Sequence, residues 1–151
     1  MLVDEVSAIV IDEAIAIHRE LGPGLFEIVY ETVLAGRMEK GGLAIARQVP
    51  VPIVFDGIAF DAAFKVDILV DGSLVLEIKA VEALSKVHAR QLLTYLRLMK
   101  QPVGLLLNFS GETMREGIRR LVNNHHRDLS ASSLPSAPPR EIRCASNGSR
   151  A

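Results

Sequence analysis

Cysteine is almost missing from this chain: Cys144 is the only one in 151 residues. No intramolecular disulfide can form, and no cysteine-rich zinc site can be assembled. An excess of charge of either sign is missing as well. The 17 basic and 18 acidic residues leave a formal net charge of -1, so no global field draws the chain toward nucleic acid or an anionic membrane. Any nucleic-acid binding therefore needs a local basic patch. No apolar run is long enough to span a bilayer, and the N-terminus lacks the charged, apolar and small-residue order of a signal peptide. The expectation is a soluble cytoplasmic protein with no membrane partner. Internal repeats are absent too.

What is present is ordinary globular material. Hydrophobic residues make up 49% and charged residues 23%, which argues against wholesale disorder. The length suits one domain with a real core. Residues 3–20 place Val6, Val10, Ala14 and Ile17 at helical spacing. "LGPG" at 21–24 stops that helix, and a second follows over roughly 24–40 with Leu25, Val29, Val33 and Leu34 toward the core. The pattern then becomes extended. "DG" at 56–57 and again at 71–72 signals two hairpin turns, giving antiparallel strands near 45–55, 58–70 and 73–80. Two prolines in "ARQVPVPIVF" suit an edge strand. Residues 86–100 read as a helix and 102–109, "PVGLLLNF", as a buried strand reached by crossover. A short element with Ile118, Leu121 and Val122 fits an edge strand or a helix. The domain is expected over 1–127. Residues 128–151 form a Ser-, Ala- and Pro-rich tail expected to be disordered. The order helix, helix, three strands, helix, strand implies an α/β fold with a mixed sheet.

One strand is anomalous. In "GSLVLEIKAV", 72–81, Leu74, Val75, Leu76, Ile78, Ala80 and Val81 leave no solvent face, yet Glu77 and Lys79 interrupt the run. They project to one face, about 6–7 Å apart along a strand. Asp67, equally flanked by apolar residues in "KVDILVD", can come beside them across the 71–72 hairpin. Charges in a strand are most often solvated or form a modest surface pair, but these flanks point inward. Burying such groups is expensive unless they are paired or hold a metal. Two carboxylates suit a hard cation such as Mg²⁺, and the amine can orient water. Glu27 and Tyr30 lie one turn apart on the second helix. Gln91 and Tyr95 do so on the third, with His88 on the same side.

At these residues the sequence resembles the GxxExxY family, through Gly24-Leu25-Phe26-Glu27-Ile28-Val29-Tyr30. That family is similar to the PD-(D/E)xK nuclease-like superfamily. The resemblance runs from about His18 to Phe109 and weakly through 117–124. It implies a restriction-endonuclease-like αβββαβ core. It also implies roles residue by residue: Asp67 as the acid of the first half-motif, Glu77 and Lys79 as the (D/E)xK half-motif, and Glu27 as a supplementary metal ligand. Gln91 would be the polar helix residue that positions the lysine or the nucleic-acid backbone. Val66 stands where the namesake proline would be. Tyr30, His88 and Tyr95 are expected to line the site. The implied activity is Mg²⁺-dependent phosphodiester hydrolysis, with Mn²⁺ as a substitute, acting on nucleic acid and on DNA rather than RNA. Two rivals stand beside it: a nuclease-fold binding or interaction module without catalysis, and metal-dependent processing of nucleotides or another phosphate ester at the same site. The near-neutral charge adds the expectation of a homodimer or protein partner that supplies nucleic-acid contacts.

Smaller features carry less. His18 reads as a packing or capping residue, and adjacent His125 and His126 point apart on a helix. Lys86, Arg90, Arg97, Arg119 and Arg120 could meet phosphate, although scattered basic residues usually solvate a surface.

Overall fold

In a computed structural model, residues 1–124 are described. His125, His126, Cys144 and the tail expected from residue 128 lie outside them. Helix α1 spans Val3–Leu21 and α2 spans Glu27–Lys40. Strands β1, Ile45–Phe55, and β2, Ile58–Val70, follow, then β3, Leu74–Lys79. Helix α3 covers Lys86–Met99, β4 covers Val103–Asn108, and β5 covers Ile118–Val122.

Local chemistry explains most boundaries. Asp4 and Glu5 occupy the first turn of α1, where carboxylates suit the helix dipole, and Glu5 accepts the Leu2 N–H at 2.8 Å. The helix ends where Gly22, at φ 75°, donates to the His18 carbonyl. Asp56 and Gly57 both have positive φ, as a two-residue hairpin loop requires. Asp71 and Gly72 do the same in the next turn, where the Asp71 carboxylate accepts the Ala44 N–H at 2.8 Å.

The strands form one five-stranded sheet in the order β1-β2-β3-β4-β5. All neighbours are antiparallel except β3 and β4, which are parallel because α3 crosses over between them. The proline-bearing strand is at the edge, as expected. The element at 118–122, open between strand and helix in sequence, is the antiparallel strand at the other edge.

Helices α1 and α2 cover one face. There Val10, Ala14, Ile17, Tyr30 and Leu34 pack on Ile68, Leu74, Leu76, Ile78 and Leu105. Helix α3 covers the other through Leu92 and Leu96 on Val66, Val75 and Leu106. Each of these large aliphatic side chains, fully withdrawn from water, contributes about 1.5–3 kcal/mol. Because β3 is covered on both faces, its alternating residues serve two cores. Leu74, Leu76 and Ile78 meet α1 and α2, while Val75 points toward α3. Glu77 and Lys79 share the parity of Val75 and so fall on the α3 side.

One boundary differs from the sequence expectation. Helix α2 begins at Glu27, not 24, because Gly24 sits at φ 105° and Phe26 is extended. Leu25 therefore stays 40% exposed instead of entering the core.

Candidate functional site

The site is built where β2 and β3 part company. Their ladder pairs Val70 with Leu74, Leu69 with Val75 and Ile68 with Leu76, and stops there. The next main-chain donor, the Ile78 N–H, is taken instead by a side chain: Asp67 Oδ2 accepts it at 2.8 Å. Asp67 thus replaces a sheet hydrogen bond, and its carboxylate is fixed against the strand that carries Glu77. Glu27, the first residue of α2, reaches the same strand end, its Oε2 accepting the Ala80 N–H at 3.1 Å. Two acids from different elements are therefore anchored on main-chain donors flanking Lys79.

Glu77 is different. It is only 5% exposed, and its Oε2 is buried with no hydrogen-bond partner. An orphaned carboxylate oxygen in the interior is among the least favourable arrangements a protein tolerates. Burial first, and then the neighbouring Asp67 charge, push its pKa up to about 8; the Lys79 ammonium opposes that rise. Burial also raises Asp67, with the charges of Glu31 and Glu27 adding to it and the Ile78 and Gln48 hydrogen bonds opposing. On α3, Tyr95 stacks on Phe64, with centroids 4.0 Å apart and planes 5° from parallel. Its hydroxyl titrates high because of burial and then the charges of Glu77 and Asp67, while a hydrogen bond with Gln91 works the other way. Tyr95 therefore lies within the field of the acid pair, and Gln91 beside it.

Two residues expected to line the site serve other purposes. Tyr30 is fully buried in the α1–α2 core, stacked on Phe109 at 4.4 Å. Its hydroxyl donates to the Gly22 carbonyl at 2.7 Å and accepts the Leu25 N–H at 3.2 Å. It does not line the site; its ring fills the core and its hydroxyl fixes the turn that aims Glu27. The Gly-x-x-Glu-x-x-Tyr stretch is thus one local device: a positive-φ glycine, an acid at the helix start, and a tyrosine that locks the turn. Tyr30→Phe should lower stability by about 1 kcal/mol, read as a melting temperature roughly 2–4 °C lower. His88 caps its own helix, Nδ1 accepting the Ser85 N–H at 3.0 Å. His18 packs as expected, with Nε2 2.9 Å from the Gly111 carbonyl oxygen. Two of the basic residues are already engaged: Arg120 pairs with Asp4, and Arg119 donates to the carbonyls of Glu116 and Ile118.

Sequence reading missed a supporting layer. Glu31, one turn after Glu27, is 3% exposed and pairs with Arg47 Nε at 3.0 Å. Gln48 Nε2 donates to both Glu31 oxygens, at 3.1 and 3.2 Å, and reaches Asp67 Oδ1 at 3.4 Å. To do so Gln48 takes a φ of 50°, which costs a non-glycine residue roughly 1–2 kcal/mol. The i, i+4 spacing of Glu27 and Glu31 was the one available signal; the strained Gln48 left none.

The donor chemistry fits a hard cation: carboxylate oxygens, one of them unpartnered, with a lysine near by. Among the described residues, however, no three His, Cys, Asp or Glu side chains form a ready-made ligand group. No helix among them is long and apolar enough to cross a membrane. No curated protein and no solved structure matches the chain. Residues 4–121 do match a family description, that of the PD-(D/E)XK nuclease superfamily. That span takes in both helical layers and every strand that holds the acids. With a mixed five-stranded sheet in αβββαβ order and an Asp, a Glu and a Lys at the point where two strands diverge, the chain belongs to the PD-(D/E)XK nuclease superfamily.

Proposed function

We propose that the protein is a divalent-cation-dependent phosphodiesterase acting on nucleic acid, of the GxxExxY branch. The observation that carries this reading is the buried, unpartnered Glu77 Oε2 beside Asp67. A buried oxygen with no partner does nothing for stability, since a leucine there would remove it. Asp67 and Glu77 would hold Mg²⁺ or Mn²⁺, and Glu27 would complete the set from the helix end. When bound, the cation supplies charge stabilisation at a phosphoryl oxygen and acidifies water.

The chain's own residues do the rest. Asp67, tied to the Ile78 N–H and braced by Gln48, presents a fixed oxygen. Lys79, sharing the face of Glu77, orients the attacking water and offsets developing negative charge. Gln91 and Tyr95 border the acid pair on the α3 side, where the phosphate backbone would run. DNA is the preferred polymer of this proposal, in a cytoplasmic protein.

The competing reading is a nuclease-fold binding module. One observation favours it: no three ligating side chains already converge among the described residues. Titration calorimetry with Mg²⁺ and Mn²⁺, followed by cleavage of a labelled duplex, separates the two. Wild type should bind the cation and cut. Lys79→Ala should keep cation affinity within a few-fold while cleavage falls by about 10²–10⁴. No heat in the presence or absence of duplex, with no cleavage, would leave the binding module as the answer. Cleavage confined to small phosphate esters would redirect the substrate class.

A further inference from the structure

Phe26 is the most exposed of the five phenylalanines, at 83%. Phe64 and Phe109 stack on tyrosines, and Phe55 and Phe60 lie toward the turn of the β1–β2 hairpin, away from Asp67. Phe26 alone adjoins one of the acids in the chain. Consecutive Cα atoms are about 3.8 Å apart, and the next residue is Glu27, whose Oε2 accepts the Ala80 N–H at 3.1 Å. The charge of Glu27 acts on both Asp67 and Glu77. Phe26 is therefore carried at the edge of the place where a bound phosphodiester would lie. Its support is firm, because the Tyr30 hydroxyl ties Gly22 to Leu25 just before it. Leaving a phenylalanine in water forgoes about 1.5–3 kcal/mol. Scattered apolar side chains on a surface are ordinary, but Leu21, Leu25 and Ile28 are exposed within the same eight residues. Glu27, itself exposed, sits among them. A protein seated on this patch would cover Glu27 as well, whereas a substrate has to come there.

Charge points the same way. Residues 1–124 carry 13 basic and 16 acidic side chains, so the folded part repels a polyanion overall. Four of its arginines are already engaged: Arg37 with Glu13 and Glu20, Arg47 with Glu31, Arg119 with two carbonyls and Arg120 with Asp4. Phosphate contacts, the usual source of affinity, are thus in short supply. Stacking of a base on an aromatic ring needs no charge and tolerates any sequence. A base inside a closed duplex has both faces covered, so only an unstacked one can use such a ring. We infer that Phe26 is a stacking platform for an unpaired nucleobase beside the phosphodiester held at Glu27, Asp67 and Glu77, so that the preferred polymer is single-stranded at the cleaved bond. This inference rests on the phosphodiesterase reading and adds to it the state of the substrate.

Fluorescence anisotropy of a labelled single-stranded DNA oligonucleotide tests this, read with Mg²⁺ in the Lys79→Ala protein so that cleavage is slow. Adding Phe26→Ala should weaken binding about tenfold. Phe26→Tyr should keep the affinity, and Phe26→Leu, apolar but without a ring, should not. The loss should shrink on a fully paired duplex of the same length and vanish on an oligomer of abasic residues. An exposed side chain contributes little to folding, so all three variants should melt with the parent protein. Equal affinity of Phe26→Ala and parent for the single strand, with Mg²⁺ bound in calorimetry, overturns the inference and leaves the phosphodiesterase reading standing. A parent and a wild type that bind neither Mg²⁺ nor oligonucleotide overturn both. Phe26→Leu binding as the parent does would reduce the contact to a merely apolar one and overturn the inference. So would an altered sedimentation coefficient of Phe26→Ala with unaltered oligonucleotide affinity, which would assign the patch to a protein.

Discussion

In metal-free buffer at pH 8 and above, Glu77→Gln should be more stable than the wild-type chain by roughly 4 kcal/mol, even though it removes the residue most central to the candidate site. The Glu77 carboxyl titrates at about 8 when folded against an ordinary 4.5. Between those values the folded chain keeps a proton that the unfolded chain has lost. Unfolding therefore releases a proton, and wild-type stability falls as pH rises from 4.5 through 8. The span corresponds to roughly 4–5 kcal/mol in all. Below pH 4.5 both states are protonated and that part of the slope vanishes. Glutamine keeps the shape and never ionises, so the variant should lack this slope. Denaturant titrations at pH 5, 7 and 8.5 would show it. A slope of equal size in both proteins would mean the orphaned oxygen is not the cause. Adding Mg²⁺ should stabilise the wild type at pH 8 and leave the variant unchanged, since binding to the folded state alone raises its stability.

The second large effect is steric. Gly117→Ala should destabilise the fold by about 2–4 kcal/mol, because a Cβ there would lie 2.1 Å from the Asn108 carbonyl oxygen. Backbone cannot yield as a flexible side chain can. Asn108 ends β4, and its amide clamps the chain just beyond Lys79, accepting the Val81 N–H at 3.0 Å and donating to the Val81 carbonyl at 2.9 Å. The push should reach the site through that clamp. Gly111→Ala is the control: the nearest atoms to its Cβ would belong to the flexible Glu116 side chain, at 3.1 Å, and its loss should be small. Comparable melting temperatures for the two variants would count against the clash. Cation affinity of Gly117→Ala, measured below its melting temperature, should fall while that of Gly111→Ala does not.

What could be read in the sequence was whatever is encoded locally. The Asp-Gly pairs placed both hairpins because positive φ at consecutive residues has few alternatives. The apolar flanks of Glu77 told that its strand is covered on both sides. The edge strand Ile118–Val122 was illegible because five residues with two arginines in the middle satisfy either period. Tyr30 was placed at the site because it shares a helix face with Glu27. Its true neighbour, Phe109, is far off in sequence, and only the docking of α2 on the sheet brings the rings together. Gln48 and Glu31 support Asp67 through contacts 17 and 19 residues apart, and no spacing rule covers those.

The loop Asp71–Ser73 has a consequence out of proportion to its length. It helps to hold β3 in the register that sets Ile68 opposite Leu76 and Leu69 opposite Val75. A strand has a period of two, so a one-residue slip of β3 in that register would exchange the two sets. Glu77 and Lys79 would then turn into the aliphatic layer under α1 and α2, and Leu76 and Ile78 would take their places. The acid of β2 and the acid of β3 are neighbours only while that register holds, so the site's chemistry is set by parity as much as by composition.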